Sequence, residues 1–169
     1  MQNDPLDVRC SECGKAAQFF EPFRFTCVVR LPEVPENSHV WGRVVVEELF
    51  PEQFRWEQPE CEKPKFLQPG ETGDGYRLNE RGMVWCKACK TFEAATISWP
   101  EDAFWKLNVK GHELVARNRE HAEQILGFLQ ETQRAPNRKP ALRGIPTALL
   151  TRRLQQEVSS RLEHALATA

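Results

Sequence analysis

The sequence predicts an α+β protein with an antiparallel β-rich core followed by two C-terminal helices. Three observations predict this class. Apolar and polar residues alternate in several segments before residue 117, apolar residues recur with helical spacing after residue 118, and two Cys-x-x-Cys pairs lie far apart. A chain of 169 residues is long enough for one domain of ordinary size that buries most of its apolar groups.

The first half of the chain predicts strands separated by loops. Ala17 to Leu31 alternates apolar and polar residues on both sides of Pro22, which makes Cys27 a core thiol on the buried face. A second strand is predicted from Val40 to Glu47. Residues 63 to 82 contain six proline and glycine residues, so a long surface loop is expected there.

The second half of the chain predicts a strand, a hairpin and two helices. Thr91 to Trp99 is the strand, and Phe104 to Arg117 is the hairpin, with a Lys110-Gly111 turn. Asn118 is a good N-cap for the first helix, in which apolar residues repeat at the spacing i, i+3, i+4 and i+7. The second helix starts near Pro146 and carries an apolar stripe.

Four of the six cysteines form two Cys-x-x-Cys pairs, Cys10 with Cys13 and Cys86 with Cys89. In a tight turn the two thiols of such a pair point at one cation, and backbone N–H groups stabilise the thiolates. The paired spacing suits metal binding in a reducing compartment better than a disulfide scaffold. We therefore predict one structural zinc ion per chain, held by four thiolates in a closed tetrahedron with no position for a substrate.

The two pairs resemble the knuckles of the zinc-ribbon superfamily. The resemblance implies that each knuckle lies on a β-hairpin and that the zinc is structural. Members of that superfamily usually separate their knuckles by a short hairpin, whereas 72 residues separate Cys13 from Cys86 in this chain. The spacing implies an inserted sheet whose two ends lie side by side.

Two other interpretations of the cysteine pairs stay open, namely a redox or different metal site and no ligand role at all. A thioredoxin-like redox pair usually opens a helix that follows a strand, and neither pair here is followed by a helical pattern. Cys61 lies in a polar segment between Pro59 and Pro64, which predicts a loop, and it has no assigned role.

The predicted domain organisation has two parts. Residues 1–133 form the split zinc-ribbon β core, with the inserted sheet at 14–85, the hairpin and the packed helix. Residues 134–169 form a basic linker and a C-terminal amphipathic helix. Charge is also divided along the chain: residues 1–99 carry 12 Lys and Arg against 16 Asp and Glu, a net of −4, and residues 100–169 carry 11 against 8, a net of +3.

A basic segment crosses the boundary of the last helix. Six basic residues and no acidic residue lie between positions 132 and 153, and such a segment neutralises several phosphates in nucleic-acid complexes. The six are Arg134, Arg138, Lys139, Arg143, Arg152 and Arg153. The formal net charge of −1 provides no long-range attraction to a polyanion, so nucleic acid is the second alternative as a partner.

The stripe on the final helix has to be buried, and it includes Leu150, Leu154, Val158 and Leu162. It folds back on the sheet or pairs with a second protein chain. The stripe favours protein–protein interaction, as does the complementarity between the basic segment and an acidic segment, Glu47 to Glu62, with six Glu against one Arg. We therefore predict a module that mediates protein–protein interaction or assembly, with a protein partner or self-association through this helix.

An enzymatic function is the remaining alternative. His121-Ala122-Glu123 matches the His-x-Glu fragment of zinc deaminases, but both cysteine pairs precede the histidine, whereas that signature places Pro-Cys-x-x-Cys after it. No catalytic residue is assigned, and the prediction leans toward a non-catalytic protein. No stretch approaches the roughly 18 apolar residues of a membrane helix, so we expect a cytoplasmic protein without a membrane partner.

Overall fold

The computed structural model describes residues 5–27, 34–58, 60, 79–131, 142 and 144–169. In chain order these residues form β1 (Leu6–Arg9), β2 (Ala16–Phe20), β3 (Phe23–Cys27), β4 (Ser38–Trp41), β5 (Val44–Glu48), β6 (Arg81–Cys86), β7 (Thr91–Thr96), β8 (Trp105–Val109), β9 (His112–Ala116), α1 (Arg119–Gln130), a 3-10 turn (Thr147–Leu150) and α2 (Arg152–Thr168). Residues 61–78, which contain most of the loop predicted at 63–82, lie outside the described part.

The described strands form three sheets, and the predicted α+β class is confirmed. A four-stranded sheet has the order β1-β2-β6-β7, a three-stranded sheet has the order β3-β5-β4, and β8 pairs with β9. The pairings of β5 with β3 and β4, and of β8 with β9, are antiparallel. Two α-helices follow the last hairpin.

The described residues cluster into two compact units. Unit 1 contains residues 19–27, 34–58, 60, 79–84 and 92–97, and unit 2 contains residues 5–18, 85–91, 98–131, 142 and 144–169. Strands β2, β6 and β7 contribute residues to both units. Both helices belong to unit 2, so the described residues after position 133 are part of the same unit as α1.

The three-stranded sheet of unit 1 packs around Trp56. The rings of Phe23 and Phe25 meet the Trp56 ring edge to face at 5.3 and 5.4 Å, and the Trp41 ring lies 5.8 Å from it. The prediction of one strand from Val40 to Glu47 is wrong, because the chain reverses between β4 and β5. Gly42 adopts a φ of 61° in that turn, a left-handed conformation that favours glycine.

Glu48, at the end of β5, is a buried carboxylate with three polar partners. Its oxygens accept hydrogen bonds from the Trp56 backbone N–H at 2.7 Å and from Arg55 Nη1 at 3.1 Å, and Oε1 lies 3.0 Å from His39 Nε2. The Trp56 N–H, followed by His39 and Arg55, holds the pKa of Glu48 below its ordinary value of 4.5, against the opposing effect of burial.

We expect Glu48 to stabilise the fold at neutral pH and to lose this effect in acid. A carboxyl whose pKa is lowered in the folded state stabilises it above the unfolded pKa, and the contribution disappears as the pH falls through the folded pKa. The urea unfolding free energy of Glu48→Gln should therefore fall well below that of the wild type at pH 7. The difference should narrow progressively below pH 4.5. A difference that stays constant across this range would contradict the assignment.

The loop predicted at residues 63 to 82 extends too far, because β6 begins at Arg81 and includes Gly82. Gly82 is buried in β6, and a Cβ at this position would lie 2.6 Å from Cζ of Phe19 and would also collide with the carbonyl oxygen of Phe20. Glycine is required here because the backbone of β6 approaches Phe19 and Phe20 closely. The sequence pattern, by contrast, predicts only a loop at this position.

Gly82→Ala should lower the free energy of unfolding by about 3 kcal/mol, because backbone and a buried ring both have to move. The matched control is Gly127→Ala in α1, where a Cβ meets no heavy atom within 4 Å. That change should raise stability by about 1 kcal/mol, the helix-propensity difference between the two residues. Chemical denaturation of the two variants checks both signs, and equal effects would contradict the close approach at Gly82.

Unit 2 has a core made by the last hairpin and the two helices. Asn118 caps α1 by accepting a hydrogen bond from the His121 N–H at 2.9 Å. The Lys110-Gly111 turn joins β8 to β9 as expected. The buried apolar residues of this core are Trp105, Val109, Leu114, Ala116, Ala122, Ile125, Phe128, Leu129, Leu142, Ile145, Leu149, Val158 and Leu162.

The stripe of α2 is covered by its own chain. Val158 and Leu162 are buried in the unit 2 core, and Leu150 and Leu154 pack against it partly buried. Helix α2 contacts α1 and β8. Of the two alternatives for this stripe, folding back within the chain is therefore the observed one, and its buried side chains are occupied by internal packing.

Candidate metal centre

Each Cys-x-x-Cys pair belongs to unit 2 and lies at the turn between two strands that are neighbours in the four-stranded sheet. Cys10 and Cys13 connect β1 to β2, and Cys86 and Cys89 connect β6 to β7. Strand β2 begins at the first turn, β6 ends at the second, and the two strands are neighbours in the sheet. Strand pairing therefore brings together two turns that are separated by 72 residues of sequence.

The four sulfurs have the spacing of one tetrahedral site. All four Sγ atoms lie within 4.8 Å of one another, and Cys13 Sγ is 3.7 Å from Cys86 Sγ. A tetrahedron with metal–sulfur bonds of about 2.3 Å has sulfur–sulfur edges of about 3.8 Å. Cys10 and Cys86 are buried, whereas Cys13 and Cys89 are exposed. The four cysteines are therefore positioned to bind one metal ion.

Both turns contain a residue with a left-handed backbone conformation four residues after the first cysteine of the pair. The N–H of Gly14 donates to the carbonyl of Cys10 at 2.9 Å, and the N–H of Cys10 donates to the carbonyl of Lys15 at 2.9 Å. Gly14, four residues after Cys10, has a φ of 70°, and Lys90, four residues after Cys86, has a φ of 60°. The left-handed residue closes each turn, but only the first turn uses glycine for it.

Lys90→Gly should raise the unfolding free energy of the metal-loaded chain by about 0.5 to 1 kcal/mol. It removes left-handed strain of roughly 1 to 2 kcal/mol, which the greater freedom of glycine in the unfolded chain partly offsets. Gly14→Ala should lower stability by a similar amount for the opposite reason, since its Cβ would enter open space and only φ changes. Thermal and urea unfolding check the pair, and effects of the same sign would refute the explanation.

Without a bound ion, the four sulfurs oppose the ionisation of one another. With four thiols alone, the pKa of Cys89 is raised to about 12, first by its hydrogen bond with Cys13, then by desolvation and by the sulfurs of Cys86 and Cys10. Several thiolates so close together are stable only if a positive ion lies among them. Four thiolates around a divalent ion carry −2, and nearby Arg9 donates from Nη1 to the Gly14 carbonyl at 3.4 Å.

Comparison with protein-family models, curated proteins and solved structures finds no match. The assignment of the site therefore depends on its own geometry. Four sulfur ligands on two hairpin turns are consistent with a zinc-ribbon-like site.

The predicted nucleic-acid residues are only partly described. Arg152 and Arg153 are exposed in the first turn of α2. Four others, Arg134, Arg138, Lys139 and Arg143, lie outside the described residues, as do Cys61 and the side chain of Cys27. Nucleic-acid binding by the basic segment therefore stays a prediction.

His121 has a structural role in the described part of the chain. Its Nδ1 accepts a hydrogen bond from the Arg117 backbone N–H at 3.1 Å. Among the described residues, the cluster of His, Cys, Asp and Glu side chains that could hold a metal contains only the four cysteines. The His121-Ala122-Glu123 fragment is therefore not part of this metal site. None of the described helices combines the length and apolar composition that crossing a membrane requires.

Asp7 and Arg9 support the first turn, and sequence reasoning assigned no role to either. Asp7 is buried and accepts hydrogen bonds from Trp105 Nε1 at 2.6 Å and from the Arg119 N–H at 2.8 Å. The Arg9 guanidinium lies over the Phe104 ring, 5.6 Å from its centroid. The alternation of Leu6, Asp7 and Val8 predicts a half-buried strand with Asp7 on the exposed face, so the sequence carries no signal for the burial of Asp7.

Proposed function

We propose that Cys10, Cys13, Cys86 and Cys89 bind one structural Zn²⁺ in a zinc-ribbon-like site, and that the chain is a non-catalytic module for protein–protein interaction. The observation that carries the proposal is the mutual approach of four sulfurs within 4.8 Å. Soft thiolates in a tetrahedral set favour zinc or iron, and zinc needs no redox partner. A reducing compartment such as the cytoplasm keeps these thiols available as ligands.

The ligand set supports a structural rather than a catalytic ion. Catalytic zinc sites usually have three protein ligands and leave the fourth position to water or substrate, whereas four cysteines close the tetrahedron. The two ligand pairs come from turns far apart in the sequence, so an ion bound to both links chain segments that are independent in the unfolded state. Its contribution is thus to folding.

The surface of unit 1 supports protein interaction. Phe92, Val34 and Val40 are more than half exposed, which places apolar side chains in contact with solvent. Among the described residues of unit 1, nine carboxylates stand against four arginines, a formal net charge of −5. Exposed apolar groups on an acidic surface fit a basic protein partner through electrostatic complementarity.

Two measurements test the proposal. Elemental analysis of the reduced, purified chain should find one zinc per molecule, and Co²⁺ substitution should give the visible absorption of a tetrahedral thiolate site. A partner protein that is captured by the zinc-loaded chain and then purified should bind the chain in calorimetry. The chain should not chemically convert that partner. Well under one metal per chain would refute the site, and substrate conversion by the zinc-loaded chain would refute the non-catalytic role.

A further inference from the structure

Strand β7 forms one edge of the four-stranded sheet. Its only strand neighbour in the described part of the chain is β6, so the N–H and C=O groups of its outer side have no strand partner there. None of its six residues is buried, and Phe92, Glu93, Ala94 and Thr96 are exposed. An incoming strand would thus find both the backbone groups and the side chains of this edge accessible.

The sequence of β7 has few of the devices that prevent edge pairing. Natural edge strands are protected by proline, by charged side chains and above all by lysine, by a bulge or by a covering segment. Thr91 to Thr96 contains no proline and no lysine, and its single charged residue is Glu93. The β-branched, aromatic and small side chains along this strand favour extended pairing. This edge is therefore chemically suited to accept another strand.

An aromatic row gives the edge an apolar anchor. The Phe92 side chain is 54 % exposed, yet its ring packs edge to face on Phe50 at 5.9 Å. Phe50 in turn packs on Phe20 at 6.4 Å. Because these neighbours hold Phe92 in place, its side chain loses little rotamer freedom when an apolar side chain of a partner contacts it.

Charge selects the chemistry of the incoming strand. Glu93 is the charged residue of β7, and its side chain is exposed. The described residues of unit 1 carry a formal net charge of −5. Arg24 and Arg55, two of the four arginines described in unit 1, are already paired with Glu47 and Glu48. A basic strand is therefore attracted, whereas β7 of a second copy would bring another Glu93 to the same edge.

We propose that the outer edge of β7 binds an extended peptide of a partner protein by β-strand addition, and that this peptide alternates apolar residues with lysine or arginine. Backbone hydrogen bonds to β7 provide affinity, the Phe92 ring receives an apolar side chain, and the Glu93 carboxylate selects basic neighbours. The inference rests on the proposed interaction function, for which it names the surface and the partner chemistry.

The probe is a capped octapeptide that alternates lysine and valine, titrated into the full zinc-loaded chain labelled with ¹⁵N. Saturable shifts are expected for the backbone amides of residues 91 to 96. Two further peptides carry N-methyl groups on all valines or on all lysines. Alternate N–H groups of a strand point to opposite sides, so one of these peptides cannot donate to β7 and should bind roughly tenfold more weakly or less.

Matched variants separate this edge from general electrostatics. Phe92→Lys introduces a positive charge on β7 and should weaken peptide binding about tenfold or more. Val40→Lys makes the same charge change at another exposed position of unit 1, on edge strand β4, and should leave the affinity nearly unchanged. A peptide that alternates glutamate and valine should not bind the wild type, and Glu93→Lys should narrow this difference.

Several results would overturn the inference. These are the absence of β7 shifts in a sample that contains one zinc per chain, equal binding of both methylated peptides, or equal effects of Phe92→Lys and Val40→Lys. Concentration-dependent β7 shifts with a doubled mass, in the absence of peptide, would assign the edge to a second copy instead. Zinc content is measured on the same sample, so failure of the metal site is distinguished from failure of the β7 edge.

Discussion

Replacing Cys86 with serine is expected to abolish stoichiometric zinc binding and to lower the free energy of unfolding by about 5 kcal/mol. In zinc-finger peptides, metal binding contributes roughly 10 to 16 kcal/mol to folding. The loss expected here is smaller because the apolar core of this chain does not depend on the ion. Cys86 is fully buried and its sulfur lies 3.7 Å from that of Cys13. A serine hydroxyl there is a poor ligand, and three thiolates leave the ion open to solvent.

Zinc content and urea unfolding, each measured with and without added zinc, check this expectation. Cys61→Ser is the matched control, because it also removes one thiol but none of the four clustered sulfurs. It should keep one zinc per chain and the wild-type unfolding curve. Full zinc retention by Cys86→Ser, or equal loss in both variants, would show that the four sulfurs do not act as one site.

The residues of the candidate metal centre were predictable because the information is local. A Cys-x-x-Cys turn brings two thiols together through its own backbone, so each half of the site is visible within a few residues. The convergence of the halves was an expectation that depended on strand pairing. The structure meets it through the adjacency of β2 and β6. The identity of the bound metal is a matter of ligand chemistry and stays a proposal.

The fold was predictable where short-range patterns decide the structure. The Lys110-Gly111 turn and the Asn118 cap are determined by residues that are neighbours in sequence, and both are confirmed. The turn at Gly42 was missed because Val40 and the valines of β5 resemble one continuous apolar strand. The sequence also left two destinations open for the stripe of α2, since burial by its own chain and by a partner produce the same periodicity.

The contacts of buried carboxylates were the least predictable features. Glu48 is an acidic residue in an acidic stretch, and only the fold shows that it is buried and bound by the Trp56 N–H. Asp7 similarly meets Trp105 and Arg119, which follow it by 98 and 112 residues. No periodic pattern specifies such pairs, although each one constrains the packing of elements that local rules cannot orient.

Asp7→Ala should be the most damaging substitution outside the metal ligands, with a loss of about 3 to 4 kcal/mol. It leaves two donors without their acceptor, the buried indole N–H of Trp105 and the partly buried backbone N–H of Arg119, and an unsatisfied buried donor costs about 1 to 3 kcal/mol. It also removes a negative charge beside the N-terminus of α1, where a carboxylate is favourable. Asp7→Asn keeps an acceptor oxygen and should cost about half as much.

Asp102→Ala is the matched control for this prediction. Asp102 is exposed in the same unit, and its carboxylate accepts one backbone hydrogen bond, from Ser98 at 2.7 Å. Removing it should cost no more than about 1 kcal/mol, because water replaces the partner. Urea denaturation of the three zinc-loaded variants measures the order Asp7→Ala, Asp7→Asn, Asp102→Ala, and an Asp7→Ala loss no larger than that of the control would contradict the burial of Asp7.

Zinc affinity gives a second and independent measure of the same contact. Asp7 lies three residues before Cys10, and the backbone N–H of Phe104 donates to the Asp7 carbonyl at 2.9 Å, so β1 is anchored immediately before the first knuckle. If Asp7→Ala loosens this anchor, β1 becomes ordered only when zinc binds, and the cost of ordering it reduces the binding free energy of zinc. Chelator competition should then show weaker zinc binding. Because Asp7 contributes no metal ligand, a stability loss with unchanged zinc affinity would instead confine its effect to the hairpin and α1.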